Sequence, residues 1–249
     1  LIYVTIPVHN EAPTIGILLW KLRKVMAEFG RDYRVLVLDD ASSDRTGEVL
    51  GRYTSHIPLT VIRSEERLGF GGALERLVRE AVEAAPYPKR DVVVTIQGDF
   101  TESPEDLVPL VKAIEGGADL VAGSPEVGED VLPRGVRFAR WAARLVLGRG
   151  ARQAPVTDPL SSFRAYRVVV LRKALRDLKE GEPLLTAAGW GANLELLARA
   201  APHARRIEEI PFRARVRHRT RPSRFRAIAA VRDLLPLRNR NWAVEGEKA

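Results

Sequence analysis

The sequence predicts an α/β fold in which a mostly parallel central sheet carries helices on both faces and gives way to a less regular, basic C-terminal part. Short β-branched runs alternate with stretches of helical periodicity, the rhythm of strand–helix–strand units. Several of those runs end in acidic or amide residues instead of a tight hairpin turn, as strands do when their carboxyl ends frame a ligand site. With 249 residues, 45% of them apolar, the chain can fill a core of this size.

Leu1 to Ile6 is an apolar strand, which Pro7-Val8-His9-Asn10-Glu11 interrupts before a helix from about Pro13 to Phe29. Tyr33 to Leu38 is a second strand; it runs into Asp39-Asp40-Ala41-Ser42-Ser43-Asp44-Arg45-Thr46, and Gly47 to Tyr53 has helical spacing. Leu59 to Arg63 is a third, followed by a loop holding Gly69, Gly71 and Gly72 and by a helix with Leu74, Leu77, Val78, Ala81 and Val82 on one face. The fourth strand starts at Val92, is buried to judge from its continuous β-branched run, and carries Gln97, Gly98 and Asp99 at its carboxyl end. Ser103 is expected to cap the helix from Pro104 to about Ile114, with the proline in its first turn.

Ala118 to Ala122 is a fifth strand ending in Gly123-Ser124-Pro125, and beyond it the rhythm changes. Arg134 to Gly148 reads as a basic amphipathic helix with Phe138, Trp141 and Leu145, and a loop spans Asp158 to Tyr166. Helices cover Val168 to Leu178 and Ala192 to Ala200, and Arg206 to Val216 is a late strand before an arginine-rich remainder. One catalytic domain over residues 1–226 and a basic tail over 227–249 follow from this.

Composition narrows the chemistry. With no cysteine there is neither a disulfide framework nor a thiolate site, and the four histidines lack metal-ligand spacing. A formal charge of +8 suits phosphorylated substrates, an anionic membrane or a nucleic acid without choosing among them. No apolar run approaches the roughly twenty residues that cross a bilayer. A soluble or peripheral protein is expected, with the cytoplasm as default; because the chain starts at Leu1, upstream segments stay open.

The motifs exclude more than they admit. Where a dinucleotide fold has Gly-x-Gly-x-x-Gly after the first strand, this chain has Pro7-Val8-His9-Asn10-Glu11. Gly69-Phe70-Gly71-Gly72 lacks the lysine and hydroxyl of a phosphate loop and reads first as a structural turn. What remains is Glu11, Asp39 with Asp40, and Gln97 with Asp99, at three strand ends converging on one sheet edge. A negatively lined edge repels a nucleoside diphosphate unless a divalent cation bridges them, so hard-cation chemistry is the inference. The plainer alternative is that Asp99 only caps a turn.

Pro7-Val8-His9-Asn10-Glu11, Leu38-Asp39-Asp40-Ala41-Ser42-Ser43-Asp44-Arg45-Thr46 and Gln97-Gly98-Asp99 together resemble the inverting family 2 glycosyltransferases of the GT-A, Rossmann-like fold. Asp158-Pro159, Ser161-Ser162-Phe163-Arg164-Ala165-Tyr166 and Glu208-Glu209-Ile210-Pro211-Phe212 are most similar to the dolichol-phosphate mannosyltransferase branch. The resemblance implies that Pro7, His9, Glu11, Asp39, Asp40, Gln97 and Gly98 line the nucleotide, with Asp39 or Asp40 at the base or ribose. It implies that Gln97 and Asp99 stand at the outer positions of an Asp-x-Asp motif holding Mg²⁺ or Mn²⁺, with Thr101 where the branch has a glutamine facing the metal. It also implies that Asp99, Arg164, Arg217 and Arg224 serve catalysis: Arg164 toward the sugar or acceptor, Arg217 and Arg224 at phosphates. Gln97 departs from the pattern, since an amide ligates without contributing charge.

The implied reaction moves a sugar from a nucleotide-sugar to a polyprenyl or dolichyl phosphate in one displacement. The basic helix around Trp141 and the arginine-rich tail have two readings, a surface resting on an anionic membrane or a solvated basic face with Trp141 in the core. Three alternatives stay open. One is a soluble transferase acting on a small molecule or protein; another is an inactive nucleotide-sugar-binding homologue. The third and most remote is a nucleic-acid-binding module using Arg213 to Arg226, disfavoured because Phe225 is its one aromatic and no recognised binding motif is present.

Overall fold

The computed structural model describes residues 1–125 and 156–212. The expected basic helix at 134–148, Arg217, Arg224, the domain boundary at 226 and the basic tail lie outside the described residues. Strands β1 (Ile2–Val8), β2 (Tyr33–Asp40), β3 (Leu59–Ser64) and β4 (Val92–Thr95) are joined by helices α1 (Ala12–Phe29), α2 (Thr46–Tyr53) and α3 (Gly69–Ala84). A 3₁₀ turn over Pro104–Asp106 leads into α4 (Leu107–Glu115) and β5 (Leu120–Pro125). After the undescribed segment come β6 (Arg164–Arg167), α5 (Val168–Arg176), α6 (Gly191–Ala200) and β7 (Ile207–Phe212).

The seven strands form one sheet in the order β3-β2-β1-β4-β6-β5-β7. Only β6 runs against the rest, antiparallel to β4 and β5 on either side. Side-chain alternation divides the core in two. Ile2, Val4, Ile6, Val35, Val37, Val92 and Val94 face α1 and α4, burying Leu18, Leu22, Leu110 and Ile114. Tyr3, Leu36, Leu38, Val93 and Tyr166 face α3, α5 and α6 through Leu74, Leu77, Leu171 and Leu197. Each such burial stabilises the fold by about 1.5–3 kcal/mol. Helix α1 stops at Gly30, whose left-handed φ of 62° lets its N–H reach the Met26 carbonyl at 3.0 Å.

Several elements differ from expectation, each for a physical reason. Pro7 does not end β1: Pro7 pairs with Leu38 and Val8 with Asp39. The Thr5 carbonyl points toward β4, accepting from Ile96 N–H, so by alternation the Pro7 nitrogen points the same way, beyond the end of β4, where no ladder needs its missing donor. The glycine-rich stretch at 69–72 is not a loop but the first turn of α3. The expected loop at 158–166 contains the start of β6, hidden in the sequence because it opens and closes on arginine. Ser103 precedes the 3₁₀ turn without capping it, its hydroxyl being bonded to the Glu105 carboxylate. No helix among the described residues is long and apolar enough to cross a membrane.

Candidate active site

Three loops leaving the carboxyl ends of β1, β2 and β4 converge, and each turns on a residue in the left-handed region: Asn10 (φ 52°), Ala41 (φ 52°) and Phe100 (φ 60°). Such conformations cost a non-glycine residue about 1–2 kcal/mol and persist where surrounding bonds enforce them. Here the loops are laced together. Asn10 Oδ1 accepts from the Ser43 N–H at 2.8 Å, Asn10 N–H donates to Ser42 Oγ at 2.9 Å, and Glu11 N–H donates to Thr46 Oγ1 at 2.8 Å. Thr14 donates to the Gly98 carbonyl at 2.9 Å, tying α1 to the loop after β4.

The result is a cleft of about 260 Å³ at the strand ends. Pro7, His9, Glu11, Asp40, Gln97, Gly98 and Asp99 line it together with Arg67, Phe70 and Trp190. Gly98 is there for steric reasons: a Cβ would stand 2.7 Å from Val8 Cγ1, so only glycine lets the loop lie against β1. Asp40 accepts from the Leu68 and Gly69 N–H groups at 2.6 and 3.0 Å, capping α3 from a distant strand. Arg67 donates to His9 Nε2 at 2.5 Å; since arginine only donates, the His9 ring proton sits on Nδ1, which donates to the Asp40 carbonyl at 2.7 Å.

At the other end, Asp99 Oδ1 accepts from the Thr101 N–H at 3.0 Å and from its hydroxyl at 2.5 Å. Gln97 donates both amide hydrogens inward, to Ser162 Oγ at 2.6 Å and Glu102 Oε1 at 3.2 Å, while Ser162 donates to Glu102 at 2.8 Å. Glu102 is buried, and burial together with the nearby Asp99 charge pushes its carboxyl up to about 7 against the hydrogen bonds it accepts. The far wall is hung on two more acids. Glu75 accepts from Leu184 and Leu185 N–H, and buried Glu195 from Thr186 and Ala187 N–H, which brings Trp190 alongside Phe70 with ring planes 12° apart.

Three expected site residues are not brought to the cleft. Arg164 is 1% exposed, and its guanidinium donates to the carbonyls of Asn193 and Pro159, because a buried cation takes whatever acceptors surround it. Asp39 is buried with its carboxylate on the Ser42 N–H at 3.1 Å, bracing the loop after β2. Thr101 is buried, its hydroxyl donating to Asp99. Conversely, sequence reasoning missed Glu102, Arg67 and Trp190, and took the stretch holding Phe70 first as a structural turn. The signals were thin: an acid just before Ser103-Pro104, an arginine ahead of a glycine cluster, and a tryptophan between two glycines.

The sequence pattern of "Glycosyl transferase family 2" matches residues 3–175. An undecaprenyl-phosphate mannosyltransferase of Micrococcus luteus is 31% identical over 215 residues, covering 83% of this chain and 80% of that protein. A dolichol-phosphate mannosyltransferase of Pyrococcus furiosus is 28% identical over 226 residues, covering 87% of this chain but 57% of that protein. Among solved structures, glucosyl-3-phosphoglycerate synthase of Mycobacterium tuberculosis, in complex with Mn²⁺, UDP and glucosyl-3-phosphoglycerate, matches with a TM-score of 0.56 at 25% identity over 89% of this chain and 72% of that one. S. aureus TarS in complex with UDP-GlcNAc, at 21% identity, TM-score 0.57, 86% of this chain and 56% of that one, shares the fold. The extent of the family match and the identity to the Micrococcus luteus enzyme lead to one conclusion: the chain belongs to glycosyl transferase family 2 and has its GT-A architecture.

Proposed function

We propose that this protein transfers a sugar from a nucleoside-diphosphate sugar, of the GDP-mannose or UDP-glucose type, to a polyprenyl phosphate, inverting the anomeric carbon. The reading rests on one observation: Asp40, Gln97 and Asp99 share a single cleft at strand ends in a family 2 chain whose relatives carry polyprenyl-phosphate transferase names. Among the described residues no group of three His, Cys, Asp or Glu could hold a metal alone. The Gln97 amide oxygen and the Asp99 carboxylate are hard donors, a set that fits Mg²⁺ or Mn²⁺ when the donor's own diphosphate completes the shell. Held by Gln97 and Asp99, a divalent cation would supply charge neutralisation for the departing diphosphate.

The chain's own residues do the rest. Arg67, held by His9 at the cleft, offers a fixed cation to a phosphate. Phe70 and Trp190 close one wall against water. Arg164 acts at a distance by holding the Pro159 loop against α6, while Arg217 and Arg224 remain proposed phosphate contacts. A polyprenyl phosphate is ionised at neutral pH and needs no general base, so the task reduces to orientation and charge neutralisation, and one displacement opposite the diphosphate inverts the centre. Peripheral contact of basic segments with an anionic membrane belongs to the same reading.

Labelled GDP-mannose or UDP-glucose incubated with a polyprenyl phosphate and Mn²⁺ should yield label extractable into organic solvent. Asp99→Ala should reduce that yield by at least about 100-fold, the loss of roughly 2.7 kcal/mol of charge stabilisation. Label that appears only on water-soluble acceptors would overturn the lipid-phosphate assignment.

A further inference from the structure

Gln97 is the neutral member of an otherwise acidic site, and its bonds raise the question of what fixes its amide. Both hydrogens of its nitrogen are used, one on Ser162 Oγ at 2.6 Å and one on Glu102 Oε1 at 3.2 Å, and the Gln97 backbone N–H also donates to Glu102 Oε2 at 3.2 Å. Ser162 gives its own proton to Glu102 at 2.8 Å, so it can only accept from Gln97. Reversing the amide would set the Gln97 oxygen against a carboxylate oxygen. The network therefore permits one orientation, with the nitrogen inward and Oε1 left for the cleft that Gln97 lines. Glu102 is 3% exposed and lies three residues from Asp99 in the same loop. A carboxylate at position 97 would face both of them.

We propose that Glu102 is the positioning residue of the Gln97–Asp99 centre: from behind the loop, together with Ser162, it holds the Gln97 amide oxygen toward the cleft. This deepens the transferase reading and rests on it, because the amide oxygen matters as a donor to a divalent cation shared with a diphosphate. Positions 97 and 102 then form a matched pair, an amide with an acid, and the two identities should be exchangeable together but not singly.

The test is a four-protein cycle of wild type, Gln97→Asp, Glu102→Gln and Gln97→Asp/Glu102→Gln. Mn²⁺ binding in the presence of UDP or GDP is measured by calorimetry, and melting temperature is measured without metal or nucleotide. Each single change should weaken Mn²⁺ binding by roughly tenfold or more, the usual effect of losing a group that orients a ligand. The double change should restore binding to within about threefold of wild type, and the melting temperatures should follow the same non-additive pattern. Glu102→Gln is close in size and shape, so a folded variant is expected, and the metal-free melts report any that is not. Wild-type binding with additive effects, or a Gln97→Asp protein that binds more tightly than wild type, overturns the proposal and leaves the transferase reading standing. No Mn²⁺-dependent binding in any of the four proteins overturns both.

Discussion

Ala41 sits at φ 52° with a methyl group that this conformation accommodates poorly, and its N–H donates to the Asp39 carbonyl at 3.0 Å within the loop. Ala41→Gly should therefore raise stability by about 0.5–1 kcal/mol, the left-handed cost removed less the extra chain entropy of glycine, as read from a urea midpoint. An unchanged or lower midpoint would mean that the loop imposes no strain. At this scale the sequence yielded residue types but not their partners. Glu11, Asp40, Gln97 and Asp99 were legible as acids and an amide gathered at strand ends, and His9 through the resemblance of the motif that holds it. Glu102 and Arg164 were not, because burial of a charged side chain depends on acceptors far along the chain: Ser162 for one, Asn193 and Pro159 for the other.

Helices and strands add the contacts that fix these residues. Helix α3 meets the 187–188 backbone so closely that a Cβ on Gly71 would lie 1.9 Å from the Ala187 carbonyl oxygen, while Gly71 N–H bonds Ala188 O at 3.1 Å. Gly71→Ala should thus cost about 3 kcal/mol or more and move the Trp190 wall, giving a lower urea midpoint together with weaker nucleotide-dependent thermal stabilisation. A neutral result would mean that the two backbones slide apart freely. The 3₁₀ turn before α4 is tied to α1 through Lys21 and Glu105, 2.7 Å apart. Partial burial opposes ionisation of Glu105, but the bonds from Lys21 and Ser103 outweigh it and hold the carboxyl down at about 2, against an ordinary 4.5. A depressed folded value contributes stability above the unfolded one, lost as pH falls through the folded one. The stability gap between wild type and Glu105→Gln should be constant above pH 4.5 and close between 4.5 and about 2. A gap that widens in acid would refute the pairing. The parallel βα units were legible because each is local, whereas the cap on α3 and the strand β6 depend on Asp40 and on β4, both distant in sequence.

Across the whole molecule, the half of the sheet built from β3, β2, β1 and β4 is assembled from consecutive segments, and its character could be read from periodicity alone. The other half interleaves distant segments, and no local pattern announces that order. The net charge of +8 likewise says little about the cleft, whose floor is acidic although the chain is basic.

The reversed strand β6 has a consequence for how the protein is made. It fills the slot between β4 and β5, yet the ribosome delivers it after both, once the whole stretch between residues 125 and 164 has emerged. Until then β4 ends the sheet with an open edge, and β5, whose neighbours β6 and β7 both come later, has no strand to pair with, so each exposes unpaired backbone donors and acceptors. That interval is when another chain's strand is best able to take the place of β6, so slowed or interrupted synthesis between those residues is the point at which this protein is most exposed to misassembly.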